Sequence, residues 1–116
     1  MPLFYVPPMI TIRIDKDPQG ICALNCAGHA GFDDGEGLDL VCAAVSALTG
    51  ALGLGLAEKS HLAVTVGDGH FSVDLRGQDA SSESRFLLDT VASSLVLLAQ
   101  NYPGFMEVTS GQEGQC

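Results

Sequence analysis

Two side chains in this 116-residue chain have the types and spacing for nucleophilic chemistry, His29 and Cys42. Between them runs Ala30-Gly31-Phe32-Asp33-Asp34-Gly35-Glu36-Gly37-Leu38-Asp39-Leu40-Val41. The pattern reads as a strand end carrying the histidine, a glycine-rich acidic loop, and a helix with the cysteine in its first turn. Asp39 is placed to cap that helix, its carboxylate accepting from unpaired amides of the next turn. Cys42 then stands where unpaired N–H groups and the positive end of the helix dipole favour a thiolate. If the loop folds back, His29 approaches Cys42 as a base. A lowered thiol pKa and a proton acceptor in hydrogen-bond reach are what a cysteine nucleophile needs. The competing reading makes Cys42 a small buried core residue and His29 a strand-end side chain bonded to a loop carbonyl.

The residues around this pair also carry two readings each. Ser46 lies one helical turn beyond Cys42 on the same face. Its hydroxyl either bonds back to a helix carbonyl or orients His29 or a substrate backbone. Phe32, the loop's one aromatic, is a lid anchor or a loop residue packed on its neighbours. Asp33, Asp34, Glu36 and Asp39 form a solvated acidic run that would also hold a basic peptide. Glycines at 31, 35 and 37 lower the cost of rearranging it. Amides at the helix start, that of Cys42 included, are the expected oxyanion donors. No third catalytic residue stands out, with Ser46 and Asp39 the candidates. His61 and His70 read as strand-end residues, with a place at the border of the site as the alternative for either.

The elements that must position this chemistry follow from hydrophobic periodicity. Ile10, Ile12 and Ile14 alternate with Thr11, Arg13 and Asp15, a half-buried strand. Asp17-Pro18-Gln19-Gly20 turns it, and residues 21–27 return antiparallel. The first helix runs from about Asp39 to the Gly53/Gly55 region, where the glycines weaken it. Leu62, Val64 and Val66, then Phe71, Val73 and Leu75, alternate around Gly67-Asp68-Gly69 as a hairpin. A second helix spans residues 81–100, with Leu88, Val91, Leu95, Leu98 and Tyr102 as its apolar stripe and Leu87, Ala92, Val96 and Ala99 beside it. Pro103-Gly104 stops it, and residues 105–109 add a short strand. The order is β-β-α-β-β-α-β, an α+β fold with a largely antiparallel sheet packed against two helices. A single domain over residues 9–109 is expected, with residues 1–8 an extension and 110–116 a frayed tail.

Composition narrows the function classes. The net charge is −9, with five Lys and Arg that do not cluster. A phosphate-binding surface for nucleic acid is therefore not expected, whereas a basic peptide would be attracted. Cys22 and Cys26 share a strand about 13 Å apart, too far to bridge each other or share a metal. Neither a zinc spacing nor a secretion signal is evident, and reduced cysteines in the cytoplasm are expected. Residues 40–57 form an uncharged run, which its glycines, alanines, Ser46 and Thr49 make a buried helix rather than a membrane span.

Gly28-His29-Ala30, the gap rich in glycine and acid, and Asp39-Leu40-Val41-Cys42-Ala43-Ala44-Val45-Ser46 resemble the signature of the bacterial ribosomal-processing cysteine proteases, the Prp family. The resemblance runs over residues 9–108 and includes Gly69-His70-Phe71. It implies a small α+β homodimer that trims a short N-terminal extension from ribosomal large-subunit protein twenty-seven, with no cofactor. It puts His29 and Cys42 on the catalytic pair, and Gly28, Asp39 and Ser46 on other motif positions. It further implies cleavage after an aromatic residue, with the loop of residues 31–37 closing as a lid. The loop is a residue longer than in some relatives, and residues 1–8 fall outside the pattern. The rival is a non-enzymatic ribosome-associated binding or assembly module, in which the acidic loop docks a basic protein and Cys42 is core.

Overall fold

The alternation at the start of the chain is realised as strand β1, Ile10–Asp17, with Ile10, Ile12 and Ile14 buried and Thr11 and Arg13 exposed. The computed structural model describes residues 9–28, 39–59, 64–67, 69–76 and 80–111. Around the Pro18-Gln19 turn β1 pairs antiparallel with β2, Gly20–Gly28, in the register Ile12 to Cys26 and Ile14 to Leu24. A bulge follows Asp15. Helix α1, Leu40–Lys59, comes next, then the hairpin of β3, Val64–Gly67, and β4, His70–Asp74. Gly69 turns that hairpin at φ +66°, a conformation glycine adopts without a Cβ clash. Helix α2, Ser82–Asn101, and β5, Met106–Ser110, complete the chain. The order is the β-β-α-β-β-α-β expected from the sequence.

The five strands lie in the order β3-β4-β2-β1-β5, antiparallel except for β5, which runs parallel to β1. Both helices cover one face, because the apolar side chains of every strand point that way. Ile12, Leu24, Phe71, Val73 and Met106 meet Val41, Leu52, Leu56, Leu88 and Leu95 in a single core. Each such side chain fully removed from water contributes about 1.5–3 kcal/mol. On the other face Arg13, Asn25 and Thr65 are exposed, while Asp15 and Ala23 are buried.

Two local expectations are corrected. Helix α1 does not weaken at Gly53 and Gly55 but passes through both to Lys59. Propensity yields to packing there. A Cβ on Gly53 would stand 3.4 Å from Phe71, and one on Gly55 would overlap Leu87 of α2. These glycines let α1 approach its neighbours. On α2 the buried line is Leu88, Val91, Ala92, Leu95 and Ala99, while Leu98 is only partly buried and Tyr102 is 37% exposed. The stripe fades over its last turn, where Tyr102 is already the C-cap. The α2 start is conventional: Ser81 accepts from the Ser84 amide at 3.1 Å.

The window Leu40–Ala57 of α1 has a mean hydropathy of 2.0 and is long and apolar enough to cross a membrane, and 28% of it is buried within the fold. Val41, Val45, Leu52 and Leu56 of this window belong to the core.

Candidate active site

A cleft of about 700 Å³ lies between α1 and the β2–β4–β3 side of the sheet. Cys42 borders it from the first turn of α1, and the strand ends at Gly28, Gly69 and His70 line the same cleft. The cysteine is half-buried, with access from the cleft. Asp39 fixes the turn that carries it. The Asp39 carbonyl accepts from the Ala43 amide at 3.0 Å, the first helical bond. The Asp39 carboxylate accepts from the Cys42 amide at 2.9 Å. Asp39 is thus the helix cap the sequence suggested. The same bond occupies the Cys42 N–H, one of the expected oxyanion donors.

Gly28 ends β2 at φ +103°, and a Cβ there would run into the Met9 carbonyl. Its amide donates to Gly69 at 2.9 Å. No other residue type satisfies this backbone, and it sets the direction in which the chain leaves toward His29. His29, Phe32 and the acids at positions 33, 34 and 36 lie outside the described residues, as does His61. Ser46 borders the cleft one turn above Cys42. Among the described residues its hydroxyl makes no hydrogen bond, unlike that of Thr49, which donates back to the Val45 carbonyl at 2.9 Å. The side chain that bonds its own helix is Thr49, and Ser46 is an exposed residue lining the cleft.

His70 begins β4 as expected of a strand-end residue, and it also borders the cleft. That is the alternative the sequence offers for it, and the fold puts it on the cleft although 28 positions separate it from Cys42. Cys26 is a second thiol on the cleft floor, 4% exposed. Burial pushes its pKa up from 9.0 to about 12, so it stays a neutral thiol. Cys22 is disulfide-bonded, which corrects the expectation of reduced cysteines at that position. Among the described residues no three His, Cys, Asp or Glu side chains group as a metal site.

A family model described as cysteine protease Prp matches residues 9–107. Among solved structures, the ribosomal processing protease Prp of Staphylococcus aureus with a covalently linked product peptide is similar over 89% of this chain and 100% of that one. The TM-score is 0.75 and the identity 23%. The same enzyme with a substrate peptide gives a TM-score of 0.69 at 20% identity, over 89% of this chain and all of that one. A Streptococcus mutans protein gives 0.70 at 26% identity, covering 88% of this chain and 96% of that one. None of the curated proteins matches the sequence significantly.

Proposed function

The chain belongs to the Prp family of cysteine proteases, and from that premise we propose that it processes a ribosomal protein, with Cys42 as nucleophile and His29 as general base. One observation carries the assignment to Cys42: it is a thiol in the first turn of α1, half-buried and open to the cleft. Cys26, the other thiol on that cleft, is held neutral by burial. The substrate is the N-terminal extension of ribosomal large-subunit protein twenty-seven, a basic peptide suited to a chain of net charge −9. The likeness to the S. aureus enzyme with peptides bound supports a peptide in this cleft.

In this mechanism His29 takes the Cys42 proton and the thiolate attacks the scissile carbonyl carbon. The tetrahedral intermediate collapses to a thioester as His29 returns the proton to the leaving amine. Water, deprotonated by His29, then hydrolyses the acyl-enzyme. With the Cys42 amide engaged by Asp39, the Leu40 and Val41 amides are the helix-start donors left for the oxyanion. Ser46 positions the imidazole or the substrate backbone, and Phe32 anchors the loop over the bound peptide. The enzyme works in the cytoplasm, where ribosomal proteins are made, and as a homodimer. Leu40 and Leu54, 52% and 66% exposed on α1, support pairing.

The deciding experiment is cleavage of a peptide copying the extended N-terminus of the host protein. Wild type cuts it and Cys42→Ala does not. Retained cutting by Cys42→Ala overturns the assignment, and binding without cutting by wild type favours the docking module instead.

A further inference from the structure

Residues 1–8, Met-Pro-Leu-Phe-Tyr-Val-Pro-Pro, precede the first strand and fall outside the matched family region, which begins at residue 9. Leu3, Phe4, Tyr5 and Val6 stand in a row, and none of the eight side chains is charged. Pro2, Pro7 and Pro8 oppose a helix or a central strand and favour an extended chain. Such a sequence carries apolar side chains that gain from leaving water, on a backbone form that a cleft admits. The fold fixes where the segment starts. The Met9 carbonyl lies against Gly28 at the end of β2, and the Ile10 amide donates to the Phe105 carbonyl at 2.9 Å. Gly28 and Ile10 both line the cleft that Cys42 borders, so the chain enters the described fold at that cleft. Eight extended residues reach about 26 Å. Cys42 and Gly53, both on the cleft, are about 17 Å apart along α1. Leu54 and Val66 line it too and are 66% and 73% exposed, apolar side chains left in water within that reach.

We propose that residues 1–8 fold back into this cleft and compete with the peptide to be cut, so that the chain carries its own reversible inhibitor. Phe4 and Tyr5, the largest side chains of the segment, supply most of the apolar area covered. The proposal rests on the peptidase reading above and adds a regulation of the same site. The tether makes the competition effective. A segment joined to the cleft by a short link is present at an effective concentration of about millimolar, so a weak contact fills the cleft for much of the time. Substrate then meets only the open fraction. That raises the apparent KM and leaves kcat unchanged once substrate saturates.

The test compares the full chain with a form lacking residues 1–8, and with Phe4→Ser and Tyr5→Ser in the full chain. The first readout is the rate at which iodoacetamide modifies Cys42 in the native protein, which needs no substrate. Removing the segment is expected to speed labelling by about threefold or more, and each point variant to speed it by less. A synthetic peptide of residues 1–8, added at millimolar concentration, slows labelling of the shortened form again. With a cleavable peptide, the shortened form shows KM lowered by the same factor and kcat unchanged. Melting curves report folding, and the point variants carry the test should the shortened form fail to fold. Equal labelling rates in the full, shortened and point-variant chains overturn the proposal and leave the peptidase reading standing. A change in kcat with KM unaltered does the same. Protection that disappears on dilution shows that a second copy supplies the segment, and it overturns the fold-back. A peptide cut by no form overturns the peptidase reading and the competition together, a result distinct from equal labelling alone.

Discussion

Two thiols border one cleft, and their surroundings give them opposite chemistry. Cys26 lies on a central strand and is buried, so desolvation of the thiolate raises its pKa to about 12. Cys42 sits at a helix start and borders the cleft. Iodoacetamide at neutral pH should therefore label Cys42 in the native protein, and Cys26 only after unfolding, with peptide mapping as the readout. The Cys26 shift also affects stability. Above pH 9 the unfolded state loses this proton while the folded state keeps it, so stability falls as pH rises between 9 and about 12. Denaturant midpoints should decline over that window, less steeply in Cys26→Ala. Asp39 gives a further residue-scale prediction. Asp39→Ala removes the acceptor of the Cys42 amide and should cost about 1 kcal/mol of stability. It should also reduce cleavage, with Asn at 39 restoring the cap.

At the scale of elements, β2 ends where only glycine fits. Gly28→Ala places a Cβ against the Met9 carbonyl at a positive φ. It should lower stability by about 1–3 kcal/mol, read as a drop in melting temperature. Cleavage should fall further than stability, because the strand end aims the chain toward His29. Helix α1 is the other element shaped by glycine. Gly53 and Gly55 sit inside it without ending it, because both faces are supported, by Phe71 of β4 and Leu87 of α2. The helix gains from packing more than the glycines cost in propensity, about 1 kcal/mol each.

For the whole molecule, charge and exposed apolar surface argue for its partners. With a net charge of −9, cleavage of a basic peptide should slow as salt rises from about 0.01 M to about 0.15 M, where the Debye length shrinks from about 30 Å to about 8 Å. A neutral peptide should show little change in kcat/KM over the same range. Exposed Leu40 and Leu54 on α1 favour pairing of two copies. Sedimentation at micromolar concentration should give a dimer, and a monomer would remove that part of the proposal.

The sequence by itself determined the elements and their order, because alternation and helical spacing report which side of each segment leaves water. It also marked the Asp39 cap, since a carboxylate three residues before an amide in a helix start is a local relation. It did not reveal that Gly53 and Gly55 are contact positions within a continuous helix. Nor did it place Val66 on the same cleft as Cys42. Those facts depend on how α1 lies across the sheet and on β3 being the outermost strand. Both are set by long-range packing, in which residues tens of positions apart compete for one apolar face, and a local pattern carries no record of that competition.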